Sequence, residues 1–235
     1  MASVMVGNAL LESLSADDWK HWQSAFERVE LRLHEEVILP ESRVEYLWFP
    51  ESGVHSQIVV SSEGESVEVA IVGREGMLGL PGVFGIEYGA AHTVVQVSGT
   101  AMRIRRTDFE RLSTTNPMLL RRIMRYAGAR FASLAQIAAC NRLHTAEQRL
   151  CRWLLMVRTR AAVDSLPITH ELLSLMLGTR RASVSEIAKS LRKRDLIRYS
   201  RGVVEFLKPQ ALHECSCECY DIIESLYAAA TRDPV

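Results

Sequence analysis

The hydrophobic period of this chain changes from two to about three and a half at Asn116-Pro117, and that change limits what the chain can fold into. Upstream, Val29, Leu31 and Leu33 alternate with charged residues. Val54, Ser56, Ile58 and Val60 repeat the pattern, followed by Val67, Val69 and Ile71, by Val95 and Val97, and by Met102 and Ile104. A period of two sends successive side chains to opposite faces of a strand. The breaks carry turn residues in Pro50-Glu51-Ser52-Gly53, Ser62-Glu63-Gly64-Glu65, Val72-Gly73-Arg74-Glu75-Gly76 and Ser98-Gly99-Thr100. Short strands at this spacing predict a compact antiparallel β-roll, jelly-roll-like in its winding. A helical stretch over 8–26 precedes it, with Leu10, Leu14, Trp22 and Phe26 on its apolar side and Ser15 as N-cap.

Downstream, Pro117 suits the first turn of a helix, where its missing N–H costs nothing. Leu120, Met124, Ala127, Phe131, Leu134 and Ala138 then follow at steps of four and three, a heptad seam from which Arg121, Arg122, Arg125 and Arg130 are excluded. The seam either packs on its own domain or forms a two-fold dimer interface, and a lone long helix after a β-roll favours the interface. A second helix begins at the capping box Thr145-Ala146-Glu147-Gln148 and turns Leu150, Trp153, Leu154 and Val157 inward. The stretch 161–166 reads as a loop. The fold class expected is α+β: a β-roll over 1–115, a dimerisation helix over 116–140 and a third unit over 141–235.

Charge separates the same units. The 235 residues hold 28 basic and 28 acidic side chains, yet 1–115 holds 9 basic and 17 acidic, 116–208 holds 18 and 6, and 209–235 holds 1 and 5. Such asymmetry points to a polyanion meeting the middle segment, against the alternative of solvated arginines on helix faces. The apolar stretches fall short of the roughly 20 residues of a membrane span, so no membrane partner is expected. The opening MASVMVGNALLESLSADDW has no basic stretch ahead of an apolar core, arguing against a secretory leader. Five scattered cysteines make no disulfide framework. A reduced, cytoplasmic protein is expected.

Residues 168–207 carry the chemistry. Leu172, Leu173 and Met176 give a short amphipathic helix that Gly178 ends, since glycine adopts the left-handed conformation of a tight helix–helix turn. Thr179 can cap the next helix, whose buried stripe would be Val184, Ile187 and Leu191. Its other side presents Arg180, Arg181, Ser183, Ser185, Glu186 and Lys189. A basic, hydroxyl-rich helix N-terminus suits a major-groove reader: arginine forks onto guanine, while serine and backbone amides hold phosphate. Leu196-Ile197-Arg198-Tyr199, Ser200-Arg201-Gly202 and Val203-Val204-Glu205-Phe206 then read as a β-hairpin, making a winged helix with Arg201 at its tip. The competing reading is a small α/β domain that binds protein.

The order of β-roll, long helix and winged helix resembles the CRP/FNR superfamily of bacterial transcription regulators over nearly the whole chain. Its most specific part is Leu177-Gly178-Thr179-Arg180-Arg181-Ala182-Ser183-Val184-Ser185, similar to the family's Gly-x-Ser/Thr-Arg-x-Thr/Ser-Val core, followed by Asp195-Leu196-Ile197. Asn141-Arg142-Leu143-His144 and Gln148-Arg149-Leu150 through Trp153-Leu154-Leu155 are similar to the helix leading into the reader. The resemblance implies a homodimer on double-stranded DNA, with Thr169, His170, Arg180 and Ser183 on the DNA backbone and Arg181 at a base edge. RNA polymerase is a further partner it leaves open. Members that read the best-known operator carry an acidic residue where this chain has Ala182 and an arginine where it has Glu186, so base preference does not carry over. Glu186 could instead accept from a cytosine amine.

In cyclic-nucleotide-responsive relatives a Gly-Glu pair and a later Arg-Ser/Thr hold the ribose and the cyclic phosphate. The nearest match here is Gly79-Leu80 with His92-Thr93, which lacks both the ribose carboxylate and the phosphate-neutralising arginine. This argues against cAMP and leaves the effector, or its existence, unknown. The glycine-rich run 73–79 reads as a roll corner. Cys215, Cys217 and Cys219 sit near His213, but one intervening residue is tighter than the usual metal knuckle. If helical, the run puts Cys215 and Cys219 on one face and Cys217 on another. They are read as packing residues, as are Cys140 and Cys151, and no cofactor is expected. The sequence has no His-Glu-x-x-His, phosphate loop, nucleophile elbow or recognisable carboxylate pair, so an enzyme is not expected. The rival from another class is a ligand-binding or redox- or metal-sensing interaction module without DNA binding.

Overall fold

A computed structural model describes residues 6–89 and 91–232. The first five residues of the opening, on which the absence of a leader was argued, lie outside the described residues. Helix α1 (Ala16–Trp22) is capped as expected, Ser15 Oγ accepting from Asp18 N, and buries Trp22. The roll comprises β1 (Phe26–Leu31), β2 (Glu36–Ile38), β3 (Tyr46–Pro50), β4 (Val54–Val60), β5 (Ser66–Val72), β6 (His92–Val97) and β7 (Gly99–Arg105), with the short helix α2 (Leu80–Val83) between β5 and β6. Two antiparallel sheets result, ordered β1-β7-β3 and β2-β6-β4-β5. Phe26, Leu47, Phe49, Val54, Ile58, Ile71 and Ile104 are buried in the core.

Alternation does not reveal β2 and β3. In Tyr46-Leu47-Trp48-Phe49-Pro50 nearly every position is apolar, so no polar face marks the strand. The phase of β5 also differs from the expected one. Glu68, Ala70 and Val72 are buried while Val67 and Val69 are only half-buried. The strand pairs with β4 through a register shift at Gln57/Ile58, which breaks the strict period. Glu68 consequently points inward, accepting hydrogen bonds from Ser56 Oγ at 2.6 Å and Trp153 Nε1 at 2.5 Å.

Helix α3 (Arg106–Ser113) closes the roll, and α4 (Pro117–Leu143) follows. Asn116 Oδ1 accepts from Leu119 N at 2.9 Å, and Pro117 takes the first turn. Two heptad stripes run along α4, one residue apart in phase. Leu119, Ile123, Tyr126, Arg130, Ser133, Ile137 and Cys140 are buried against the same chain. The seam expected from sequence lies about 100° further round. There Phe131 is 77%, Met124 57% and Leu134 38% exposed, Ala138 is exposed, and Leu120 and Ala127 are half-buried. Own-domain packing and an unpartnered apolar seam therefore coexist on different faces. Arg130, excluded from the seam, is buried rather than solvated. Its Nη1 donates to Ile71 O at 3.2 Å, and Nη2 reaches Gln57.

Helix α5 (Ala146–Ala161) has the expected capping box, Thr145 and Gln148 each accepting from the other's backbone N–H. It is buried all round between Leu150 and Val157, Arg152 included, rather than along one stripe. The roll, the reader and the C-terminal helices all pack on it. The loop expected over 161–166 ends in strand β8 (Ser165–Pro167). After the reader, α8 (Pro209–Glu214) leads to α9 (Cys219–Thr231), which returns along α4. The Tyr126 and Tyr227 rings lie 5.9 Å apart, and Arg125 Nη1 donates to Arg232 O at 2.8 Å. Among the described residues, no helix is long and apolar enough to cross a membrane.

Candidate nucleic-acid interface

The reader is built from α6 (His170–Leu177), α7 (Arg181–Lys193), β9 (Ile197–Ser200) and β10 (Val203–Phe206), with β8 completing a sheet ordered β8-β10-β9. Thr169 caps α6, its hydroxyl accepting from Leu172 N at 3.2 Å. Leu173, Met176 and Leu177 are buried. Gly178 takes φ +55°, and Gly178 N and Thr179 N close on Leu175 O and Ser174 O. Helix α7 buries Val184, Ala188 and Leu191 with Ile187 half-buried, so Ala188 joins the expected stripe.

Thr179 does not cap α7. Arg180 holds the N-cap position, extended at φ −69° and ψ 140°, without a side-chain cap bond. The first-turn amides thus lack a capping side chain, and the positive end of the helix is open to an outside anion. Arg201 and Gly202 form a two-residue hairpin turn with φ of +49° and +76°, the mirror-image geometry that matches strand twist. Ile168 N donates to Gly202 O at 2.7 Å, tying the wing tip to the start of α6.

Arg180, Arg181, Ala182 and Ser183 are exposed at the start of α7 and Glu186 and Lys189 further along it, and Thr169 and Arg201 are exposed too; His170 and Ser185 are half-buried. His170 joins the parts. Its ring stacks on Tyr199 with centroids 4.3 Å apart, and Nδ1 lies 3.0 Å from Ser185 Oγ, whose hydroxyl donates to Arg181 O. Ser185 spends its proton on that carbonyl, so His170 Nδ1 is the donor. Burial, then the nearby Arg181 and Arg192 charges, push the His170 pKa down. Its Nε2 is covered, so the ring positions α7 and the wing instead of facing solvent. Tyr199, which sequence reasoning passed over, also donates from its hydroxyl to Ile168 O at 2.9 Å. The alternation of the wing strand was its only signal.

The four residues of the expected effector pocket lie at the start of α2 and on β6. Gly79 starts α2 at φ +78°, close against Tyr46 O and Val44, and Leu80 follows it. His92 Nε2 lies 3.0 Å from Glu36 Oε1, an anionic partner within the chain, and Thr93 is buried. A cleft of about 690 Å³ lies elsewhere, between the β4–β5 hairpin and the reader, lined by Val59, Glu65, Val67, Leu175 and Arg180 among others.

The cysteine run differs from its helical reading because the helix is interrupted between Glu214 and Cys219. Cys215 points to Arg194, whose Nη1 donates to its sulfur at 3.3 Å, and His213 pairs with Asp221 at 2.9 Å. Cys217 and Cys219 turn inward together and meet Cys140, which therefore is not alone on its helix, and His144. The pairs Cys140-x3-His144 and Cys217-x-Cys219 were the sequence signal for this convergence.

Comparison with known proteins agrees with this architecture. Residues 148–215 match the model of the Crp-like helix-turn-helix domain. "Probable transcriptional regulator flp" of Lacticaseibacillus casei is 25% identical over 176 residues, covering 70% of this chain and 80% of the relative. Among solved structures, the c-di-GMP responsive global regulator CLP of Xanthomonas campestris superposes with a TM-score of 0.69 at 16% identity, over 83% of this chain and 100% of that one. FixK2 of Bradyrhizobium japonicum gives a TM-score of 0.65 at 17% identity, over 82% and 98%. The chain thus carries a Crp-like helix-turn-helix domain over residues 148–215, behind a β-roll and a long helix in the fold of these solved structures.

Proposed function

We propose that the protein works as a homodimer that binds an inverted-repeat operator sequence-specifically, inserting α7 of each protomer into the major groove. The exposed cluster at the start of α7 carries this reading. Arg180, Arg181 and Ser183 stand at an uncapped helix N-terminus, with Lys189 two turns along the same helix, and Thr169 lies beside the wing turn that carries Arg201. Arg181 reads a base edge, Glu186 accepts from a cytosine amine, and Thr169, Arg180, Ser183 and Arg201 hold phosphate. The α4 seam of Leu120, Met124, Ala127, Phe131, Leu134 and Ala138 is the dimer face, because a heptad stripe left uncovered by its own chain is complementary to a copy of itself. The β-roll is the regulatory domain, for an effector other than cAMP.

Selection from a randomised duplex library tests this reading. The enriched sequence should be an inverted repeat with half-site centres about 34 Å apart. Failure to enrich any palindrome would favour an interaction module that kept the fold without DNA binding.

A further inference from the structure

Three thiols and an imidazole converge where the C-terminal end of α4 meets the turn before α9. Cys140 Sγ lies 3.5 Å from Cys217 Sγ, Cys219 Sγ lies 3.5 Å from His144 Nδ1, and all four atoms fall within 4.8 Å of one another. The three cysteines are buried in a cluster of their own, apart from the main core. We infer that Cys140, His144, Cys217 and Cys219 form a tetrahedral site for a single zinc ion.

The distances decide the class of ion. Zinc–sulfur bonds of about 2.3 Å and zinc–nitrogen bonds of about 2.0–2.1 Å place tetrahedral ligand atoms about 3.6–3.8 Å apart. The Cys140–Cys217 and Cys219–His144 contacts are already near that edge. Several irons with bridging sulfides would need the cysteine sulfurs spread further apart than this, so a mononuclear ion fits and an iron–sulfur cluster does not. A soft, sulfur-rich tetrahedral set selects zinc over magnesium or calcium.

The surroundings are those of a metal ligand set. His144 Nε2 lies 3.2 Å from Glu218 Oε1, so the carboxylate holds the proton side of the ring and aims Nδ1 at the sulfurs. Gln136 Nε2 donates to Cys219 Sγ at 3.1 Å. Leucines would fill the same space without needing any of these polar partners. The ion would pin the segment entering α9 to the end of α4, and with it the strap that α9 lays along the long helix.

The full-length protein, purified under reductant, should contain one zinc per chain. After chelation, cobalt(II) should restore the visible bands of a tetrahedral ion together with thiolate charge-transfer absorption. Cys217→Ser should weaken binding at least tenfold, while Cys151→Ser and Cys215→Ser should bind as the parent does. His144→Cys should keep the tetrahedral spectrum with stronger charge transfer, which a purely structural imidazole would not produce. Zinc well below one per chain together with no tetrahedral cobalt spectrum would overturn the inference, as would unchanged binding in Cys217→Ser. Should Cys217→Ser fail to fold, the parent and His144→Cys spectra decide alone.

Discussion

The His170 ring lies against Tyr199 with centroids 4.3 Å apart at 24°, and through Nδ1 it holds Ser185 on the recognition helix. One imidazole thus links the first reader helix, the second and the wing. His170→Ala breaks all three links without removing a cation from the DNA-facing surface. It should weaken binding to all duplexes alike, leave base preference unchanged and raise amide exchange in 197–206. Selective loss at one base position would contradict a positioning role.

Arg181 and Arg201 should separate sequence from backbone. Arg181→Ala is expected to cost about 1–3 kcal/mol and to relax one base position, since it removes a base-edge contact. Arg201→Ala should weaken all sequences uniformly and flatten the salt dependence of binding, because one fewer phosphate is neutralised. Titrations over single-base variants of the selected operator at several salt concentrations distinguish them.

The α4 seam predicts assembly. Phe131 is 77% exposed, so Phe131→Glu costs the isolated fold little but places paired charges across a two-fold axis. The variant should sediment as a monomer with an unchanged circular dichroism spectrum and bind an operator far more weakly. A variant that remains dimeric would move the interface elsewhere.

Much of this was legible because local signals agreed. The capping box at Thr145, the turn at Gly178 and the Arg201-Gly202 hairpin each specify geometry within a few residues. What escaped depended on contacts distant in sequence. The buried stripe from Leu119 to Cys140 contains Ser133 and Arg130, and Arg130 looks solvated until Ile71 and Gln57 supply its partners. Arg160 likewise belongs to the core only because Glu75 and Glu224 arrive from the roll and α9. The Cys140–His144–Cys217–Cys219 cluster needed the chain to fold back across more than 70 residues, and the break before α9 undid the helical spacing of the cysteine run.

Arg160 gives a stability test. Its Nε lies 3.0 Å from Glu75 Oε1 and Nη1 2.7 Å from Glu224 Oε1, with the side chain 3% exposed. Arg160→Ala leaves two carboxylates facing each other without a cation. A loss of roughly 3–5 kcal/mol is expected in urea unfolding.

Two buried groups give opposite pH dependences. Burial lowers the His55 pKa from 6.5 to about 4, so its contribution is full above pH 6.5 and is lost as pH falls towards 4. Burial raises the Glu68 pKa from 4.5 to about 7, against the Ser56 and Trp153 hydrogen bonds and the Arg152 and Arg130 charges. Its contribution is full below pH 4.5 and is lost as pH rises through 7. Each is worth roughly 3 kcal/mol across its window. Glu68→Gln should therefore lose stability between pH 7 and 5, whereas His55→Gln should gain it; parallel curves for the two variants would contradict these assignments.

Hydroxyl-radical footprinting of the protein on its selected operator, with stoichiometry measured on the same complex, tests the central claim most directly. Two chains per duplex should protect two half-sites about one helical turn apart, related by a two-fold axis. One chain on one half-site, or protection that ignores the repeat, would contradict it.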